Sequence, residues 1–167
     1  MSLRQEIPKQ LRLKKIEIHR LKGITNCKIE FPNDKKVTAI MGMNGSGKST
    51  IIHAIACCYK PKGTSSKENN RFSDFFTPHL ENNWRGSKFT VDYYSGTLTN
   101  QGGNILFSLS EPPHDNFSQI YTKVKRWMPI YDRRPVKNSI YIGLQALATL
   151  SDNASAFKHS KYRVSQF

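Results

Sequence analysis

The sequence predicts an α/β fold, with a mixed sheet, one helix after a glycine-rich loop, and an antiparallel hairpin region. Three observations support this prediction. Apolar and polar residues alternate between Lys15 and Phe31, a short apolar run leads into the stretch GMNGSGKST at 42–50, and two strand-like runs flank Asn100–Gly103. A chain of 167 residues has about the length of one domain. We therefore predict a single domain over 1–167.

The first two strands are predicted from an alternation of period two, which is typical of half-buried strands. The residues expected to face the core are Ile16, Ile18, Cys27, Ile29 and Phe31. The stretch Lys22–Asn26 is predicted to be the turn between the strands, and Pro32–Asp34 the next turn.

The run Val37–Met41 is short and lacks alternation, which is typical of a fully buried strand. After the glycine-rich loop, residues 51–59 form an apolar helical pattern that ends before Pro61 and Gly63. Together these predictions make up the first part of the domain, over 11–60. A strand, a glycine loop and a helix in this order are the context that a phosphate-binding loop requires.

The stretch Gly42–Ser49 matches the P-loop pattern G-x-x-x-x-G-K-[ST] in full. Its glycines permit positive φ angles, so that backbone N–H groups can turn toward a phosphate, and the following helix directs its positive dipole end to the same anion. Lys48 is expected to bridge the terminal phosphates of a nucleotide, and Ser49 to give one oxygen ligand to Mg²⁺. The predicted nucleotide-binding residues of the loop are Gly42, Asn44, Gly45, Ser46, Gly47, Lys48, Ser49 and Thr50. The alternative is a glycine-rich turn without a ligand.

The second half of the sequence gives weaker predictions. Residues 60–88 are polar and are predicted to form a long ordered loop with aromatic anchors at Phe72, Phe75, Phe76 and Trp84. Within 89–150, Phe89–Tyr93 and Ile105–Leu109 are predicted to form a hairpin, and Ser139–Gly143 a further strand. The tail over 151–167 is polar and weakly patterned.

Composition argues against a membrane-spanning and a secreted protein. No run approaches the roughly 20 apolar residues of a membrane helix, and the charged N-terminus lacks the apolar segment of a secretory signal. Cys27, Cys57 and Cys58 have neither disulfide nor zinc spacing, which favours reduced core residues in a cytoplasmic protein. His53 and His79 are isolated and are predicted to be structural.

The net charge of +14 suggests a polyanionic partner, meaning nucleic acid or a nucleotide. An equally acceptable interpretation is that an acidic half of the intact protein balances this charge. Six cations fall within one segment, interleaved with Trp127 and Tyr131: Lys123, Lys125, Arg126, Arg133, Arg134 and Lys137. Because basic and aromatic residues together are typical of nucleic-acid surfaces, these six are predicted to bind DNA or RNA. A solvated loop, or a loop that docks on an acidic partner chain, is the alternative.

The stretch IEIHRLKGITNCKIEFPNDKKVTAIMGMNGSGKSTIIHAIACC, with Asn44 inside its loop, resembles the N-terminal lobe of SMC-, RecF- and OLD-like ATPases of the ABC class. A weaker likeness runs through RFSDFFTP, NNWRGSKFTVDYY and RRPVKNSIYIGL. This second set resembles the PtuA-type ATPases of the Septu and retron anti-phage systems. The resemblance therefore implies a P-loop fold of the ABC/SMC type.

The resemblance also implies cofactors and partners. They are ATP and Mg²⁺, a homodimer or larger complex in which two heads sandwich the nucleotide, and a nuclease of the HNH type together with DNA or RNA. It places Arg20 and Lys22, in the basic turn, near the nucleotide, and Gln145 on the Mg²⁺. Ordinary surface roles remain the alternatives for these three residues.

Two motifs that the resemblance leads us to expect are missing. A Walker B motif needs an apolar strand followed by Asp-Glu, and neither Asp92 nor Asp152 has this context. The ABC signature begins at Leu150-Ser151 but continues without a glycine. We therefore expect a portion or a natural remnant of a larger ATPase of phage defence or DNA repair, which binds ATP and hydrolyses it poorly alone. The alternatives are a non-hydrolysing scaffold or interaction module within a nuclease or reverse-transcriptase complex, and a small-molecule kinase.

Overall fold

The computed structural model describes residues 10–62, 70–77, 84–109, 117–137, 139 and 141–142. Its strands are β1 (Gln10–Leu21), β2 (Ile24–Glu30), β3 (Lys88–Gln101), β4 (Asn104–Leu109), β5 (Phe117–Lys123) and β6 (Trp127–Met128). Its helices are α1 (Lys48–Ala56) and α2 (Phe72–Phe75), followed by a 3-10 turn at Tyr131–Arg133. None of these described helices is long and apolar enough to cross a membrane.

The strands form one sheet in the order β2-β1-β3-β5-β6, with β4 paired to the far half of β3. Every strand pair within the sheet is antiparallel. The predicted pairing of the first two strands is confirmed. The predicted hairpin is wrong in its first strand, because residues 96–101 of β3 pair with β4, whereas Phe89–Tyr93 pairs with β1 and β5. In the described ranges, the parallel pairing that a mixed sheet requires is limited to one isolated bridge between Lys60 and Val136.

The core lies between one face of the sheet and helix α1. On β1, Ile16 and Ile18 are fully buried, and they pair across the strands with Val91 and Phe89 of β3, which are also fully buried. Helix α1 covers this face with Ile51 and Ala54 among other residues. The alternation in β1 is thus explained by a sheet that is covered on one face.

Aromatic side chains from the 60–88 stretch fill the other end of the core. Phe72 stacks on Trp127 with ring centroids 4.3 Å apart, and both Phe72 and Phe76 are almost completely buried. The Trp84 indole N–H donates to the Thr77 carbonyl oxygen over 3.0 Å. The predicted aromatic anchors are therefore confirmed in the described parts of this stretch, together with the short helix α2 that the sequence did not predict.

The cysteine prediction is also confirmed. Cys57 and Cys58 follow α1 directly and are fully buried free thiols, whereas Cys27 on β2 is half-buried. The Cys58 thiol donates to the Ala54 carbonyl oxygen over 3.1 Å. Burial raises the pKa of Cys58 to about 12, so this thiol stays protonated and unreactive at neutral pH.

The predicted buried strand Val37–Met41 is wrong. The segment has no strand assignment, and the side chains of Val37 and Met41 are 84% and 88% exposed. A fully buried strand needs neighbours that cover both of its faces. Among the described residues, no backbone hydrogen bond to this segment is made.

Two further differences concern the second half of the chain. Strand β5 was not predicted, because its apolar residues Phe117 and Ile120 are three residues apart and do not alternate. The buried residue of this strand is Tyr121. The predicted strand Ser139–Gly143 is not confirmed, since its described residues, Ser139, Tyr141 and Ile142, have no strand assignment. The remainder of that segment and the tail over 151–167 lie outside the described residues.

Candidate nucleotide-binding site

The glycine-rich loop runs directly into helix α1, as predicted. Gly47 precedes the helix with φ of 93° and ψ of 6°, a left-handed conformation that favours glycine. A Cβ atom at this position would lie 2.6 Å from Cδ1 of Ile24, which is closer than atoms pack. Gly47 is therefore required both by its backbone and by the neighbouring β1–β2 turn.

Lys48 is the first residue of α1 and ties the two ends of the loop together. Its Nζ donates to the carbonyl oxygens of Gly42 and Met43, each over 2.6 Å. An ammonium group has three donors, so one remains for a ligand oxygen. The positive end of the helix dipole lies at the same place, which favours an anion there.

The other predicted loop residues differ in exposure. Asn44, Gly45, Ser46 and Ser49 are exposed at the surface, whereas Thr50 is buried at the first turn of α1. The Ser49 hydroxyl is thus accessible to a metal ion beside the Lys48 ammonium, while Thr50 faces the core. The roles assigned to these residues stay predictions.

The basic turn does lie against the loop, since Ile24 packs on Gly47. Lys22 adopts a left-handed conformation with φ of 53°, and its Nζ lies 5.1 Å and 5.2 Å from the ring centroids of Phe76 and Trp84. These cation–π contacts hold the Lys22 ammonium against the aromatic anchors, and its place near a nucleotide stays a prediction. Arg20 is exposed at the end of β1 and approaches the Gly86 turn.

His53 on α1 is structural, as predicted. Its ring stacks on Phe75 with centroids 4.5 Å apart, and its Nε2 lies 2.9 Å from the Tyr141 hydroxyl oxygen. Burial, and then the charge of Lys22, lower the pKa of His53. The ring is therefore neutral at neutral pH. His79 lies outside the described residues.

No metal-binding cluster of three or more His, Cys, Asp or Glu side chains occurs in the described part of the chain. Asp92 is engaged within the sheet, where its carboxylate accepts a hydrogen bond from the Ser118 hydroxyl over 2.6 Å and pairs with Lys15 Nζ at 2.9 Å. This cross-strand role agrees with its lack of a Walker B context. Gln145 and Asp152 lie outside the described residues.

The basic segment is divided between the surface and the interior. Lys125, Arg126 and Arg133 are exposed, and Lys123 is half-buried with its Nζ donating to the Lys125 carbonyl oxygen over 2.7 Å. These four residues form what we call the basic surface. They remain available to a polyanion.

Arg134 is not on this surface, contrary to the prediction. It is 6% exposed, its Nη1 donates to the Cys57 carbonyl oxygen over 2.7 Å, and its guanidinium lies 4.6 Å from the ring centroid of Phe72. Trp127 also packs in the core, and Tyr131 contacts Arg134. These two rings therefore do not stack on bases as the sequence suggested. Lys137 lies on a different side of the chain, over the ring of Tyr59.

Comparisons with known proteins give the family of the chain. A family model described as an AAA domain matches residues 15–143. The chain is 30% identical over 135 residues to the DNA double-strand break repair Rad50 ATPase of Methanocaldococcus jannaschii, which covers 78% of this chain and 13% of that protein. It is 39% identical over 67 residues to the chromosome partition protein Smc of the same organism, which covers 40% of this chain and 6% of that protein. No solved structure matches the chain significantly.

The matched region includes the glycine-rich loop, helix α1 and the strands that surround them. The chain spans only a small fraction of the length of either relative. Its likeness is to P-loop ATPases of the SMC and Rad50 type, and the chain belongs to the AAA domain family.

Proposed function

We propose that the chain binds ATP with Mg²⁺ through residues 42–50 and serves as the nucleotide-binding lobe of an SMC- or Rad50-like ATPase that acts on DNA. The observation that carries this proposal is the loop itself. Gly47 is in a left-handed conformation, Lys48 closes the loop through two carbonyl oxygens, and the N-terminal end of α1 faces the same point. In this role Lys48 binds the terminal phosphates and Ser49 one coordination position of Mg²⁺.

The same proposal extends to partners. Two copies, or one copy and a partner head, sandwich the nucleotide, and the basic surface contacts DNA or RNA. The finer form of the proposal is a role in phage defence beside an HNH-type nuclease, which rests on the PtuA-like stretches around Phe72–Phe76 and Trp84–Tyr94.

The experiment is isothermal titration of the purified chain with ATP and Mg²⁺. We expect saturable binding that Lys48→Ala weakens at least about tenfold, because one charge-assisted contact to phosphate is lost. Lys28→Ala is the matched control, since Lys28 forms only an exposed ion pair with Glu30 at 2.7 Å. Equal affinity of wild type and Lys48→Ala would refute the proposal.

A measurement of ATP hydrolysis distinguishes the lobe of an ATPase from a non-hydrolysing scaffold. No described carboxylate lies in a Walker B context, so the chain alone should release phosphate at a rate close to that of ATP in buffer. Steady-state release that Lys48→Ala abolishes would show instead a complete ATPase. A non-hydrolysing scaffold within a nuclease complex remains the second candidate, and added partner protein that fails to stimulate hydrolysis would favour it.

A further inference from the structure

A groove separate from the glycine-rich loop lies behind helix α1. It is bounded by β1, the 31–38 stretch, the outer face of α1 and the residues Lys137, Ser139 and Tyr141, and its cavity volume is about 410 Å³. A volume of this size falls in the range of small-molecule sites, roughly 300–1,000 Å³. The Lys48 ammonium is not among the groups that line it.

Four cations from three parts of the chain line this groove, namely Arg12, Lys35, Lys36 and Lys137. Arg12 on β1 is fixed by its contacts: Nη1 donates to the Asn33 carbonyl oxygen over 3.0 Å, and Nη2 to the Lys35 carbonyl oxygen over 2.6 Å. A guanidinium has five N–H donors in a rigid fork, so donors remain for a ligand. Arg12 is thus held in place without being saturated.

The positive charge in the groove is not compensated by its own walls. None of the lining residues is acidic, and the nearby Asp34 pairs with Lys35 at 3.0 Å rather than with the other cations. Lys137 lies with its Nζ 5.3 Å from the ring centroid of Tyr59. Burial, and then the charge of Arg12, lower the pKa of Lys137.

The walls of the groove are aromatic and apolar. Tyr59 is 5% exposed, and its hydroxyl group is buried beside the backbone of Leu13, which also lines the groove. Phe31, Tyr141 and the α1 residues Ile52 and Ile55 complete the lining. These walls suit a planar ring beside the anionic group.

We propose that Arg12, Lys36, Lys137 and Tyr59 form a second anion-binding site, which takes a small aromatic phosphate of about mononucleotide size. The phosphate lies on the Arg12 guanidinium and the Lys36 ammonium, the ring packs on Tyr59 and Ile55, and the Lys137 amine lies beside the ring. This site does not depend on the ATP site of the glycine-rich loop, although both contact helix α1.

The test uses pyridoxal 5′-phosphate, an aromatic phosphate whose aldehyde condenses with a lysine amine to form an imine and water. Borohydride then reduces the imine, and mass spectrometry of the digest gives the rate at each lysine. We expect Lys137 to be modified about tenfold faster than exposed Lys125, since a held phosphate and a larger neutral amine fraction both favour the reaction. Pyridoxal, which lacks the phosphate, should not distinguish the two lysines.

Variants and competitors then identify the site. Arg12→Gln should slow labelling of Lys137 by roughly tenfold through loss of a charge-assisted contact. Lys36→Gln, at an exposed residue, should slow it without affecting the melting temperature. AMP in excess should protect Lys137, whereas adenosine and polyglutamate should not.

Three results would overturn the proposal: equal rates at Lys137 and Lys125, an unchanged rate at Lys137 in both variants, or equal protection by AMP and polyglutamate. The last result would indicate an acidic protein partner instead of a small ligand. Protection of Lys48 by ATP with Mg²⁺ is measured in the same digest, so failure at one site is distinguished from failure at the other.

Discussion

At the scale of single residues, Arg134 is the cation that stabilises the end of the P-loop helix. Its Nη1 donates to the carbonyl oxygen of Cys57, just beyond α1, where the negative end of the helix dipole favours a positive charge. The rings of Phe72 and Tyr131 lie 4.6 Å and 5.1 Å from the guanidinium. In the described part of the chain no carboxylate forms an ion pair with it, so the carbonyl and the rings provide its stabilisation.

Replacing Arg134 should therefore destabilise the chain. We expect Arg134→Gln to lower the free energy of unfolding by about 2–4 kcal/mol, since it removes a buried charge-assisted hydrogen bond together with ring packing. The neighbouring variant Arg133→Gln should change it by less than about 0.5 kcal/mol, because Arg133 is exposed. Urea unfolding followed by circular dichroism measures both. Equal effects at the two positions would contradict the assignment.

At the scale of elements, the glycine-rich loop and the β1–β2 turn form one unit. The contact between Gly47 and Ile24 sets how closely the turn approaches the start of α1. Gly45 also has a positive φ, of 80°, but a Cβ atom there would meet nothing within 4 Å. Replacing Gly45 therefore introduces backbone strain alone, whereas replacing Gly47 introduces backbone strain and a steric clash.

We predict that Gly47→Ala costs more stability than Gly45→Ala. Both variants carry backbone strain of roughly 1–3 kcal/mol, and only Gly47→Ala adds the clash with Ile24. Ile24→Ala should therefore relieve part of the cost of Gly47→Ala, with a coupling free energy of about 1 kcal/mol in a double-mutant cycle. Purely additive effects would show that the turn does not pack on the loop.

Elements with a strong local pattern could be predicted from the sequence. Alternation predicted β1 and β2, and the glycine pattern predicted the loop and the helix that follows it, which begins at Lys48 and ends at Ala56. Val37–Met41 was predicted as a strand because apolar residues alone do not provide the neighbours that a strand pairs with. Arg133 and Arg134 are adjacent residues of the same type. The local sequence therefore does not indicate that only Arg134 is buried against Phe72.

At the scale of the whole molecule, the net charge of +14 is distributed unevenly. Arg134 is buried in the core, Arg12 and Lys137 face the groove behind α1, and Lys48 closes the glycine-rich loop. Of the six cations predicted to bind nucleic acid, Lys123, Lys125, Arg126 and Arg133 make up the basic surface. Arg134 and Lys137 therefore do not belong to the nucleic-acid surface that was predicted from the sequence.

Binding of DNA or RNA to the basic surface should weaken steeply with salt, because each phosphate contact releases counterions. The log–log slope is roughly −0.7 to −0.9 per contact. We expect Lys125→Ala/Arg126→Ala to flatten this slope by about one to two units, and Lys48→Ala to leave it unchanged. Fluorescence anisotropy across a salt series measures it. A double variant with the slope and affinity of wild type would show that this surface is merely solvated.

The central claim is that residues 42–50 bind nucleotide phosphate through Lys48 and the metal through Ser49. Titration of ATP into Lys48→Ala and Ser49→Ala, each with Mg²⁺ and with EDTA, tests this claim most directly. We predict that Lys48→Ala loses affinity under both conditions, since its charge contacts phosphate directly. Ser49→Ala should lose affinity with Mg²⁺ and bind like wild type in EDTA. Equal losses for the two variants in EDTA, or no loss for Lys48→Ala under either condition, would contradict the account.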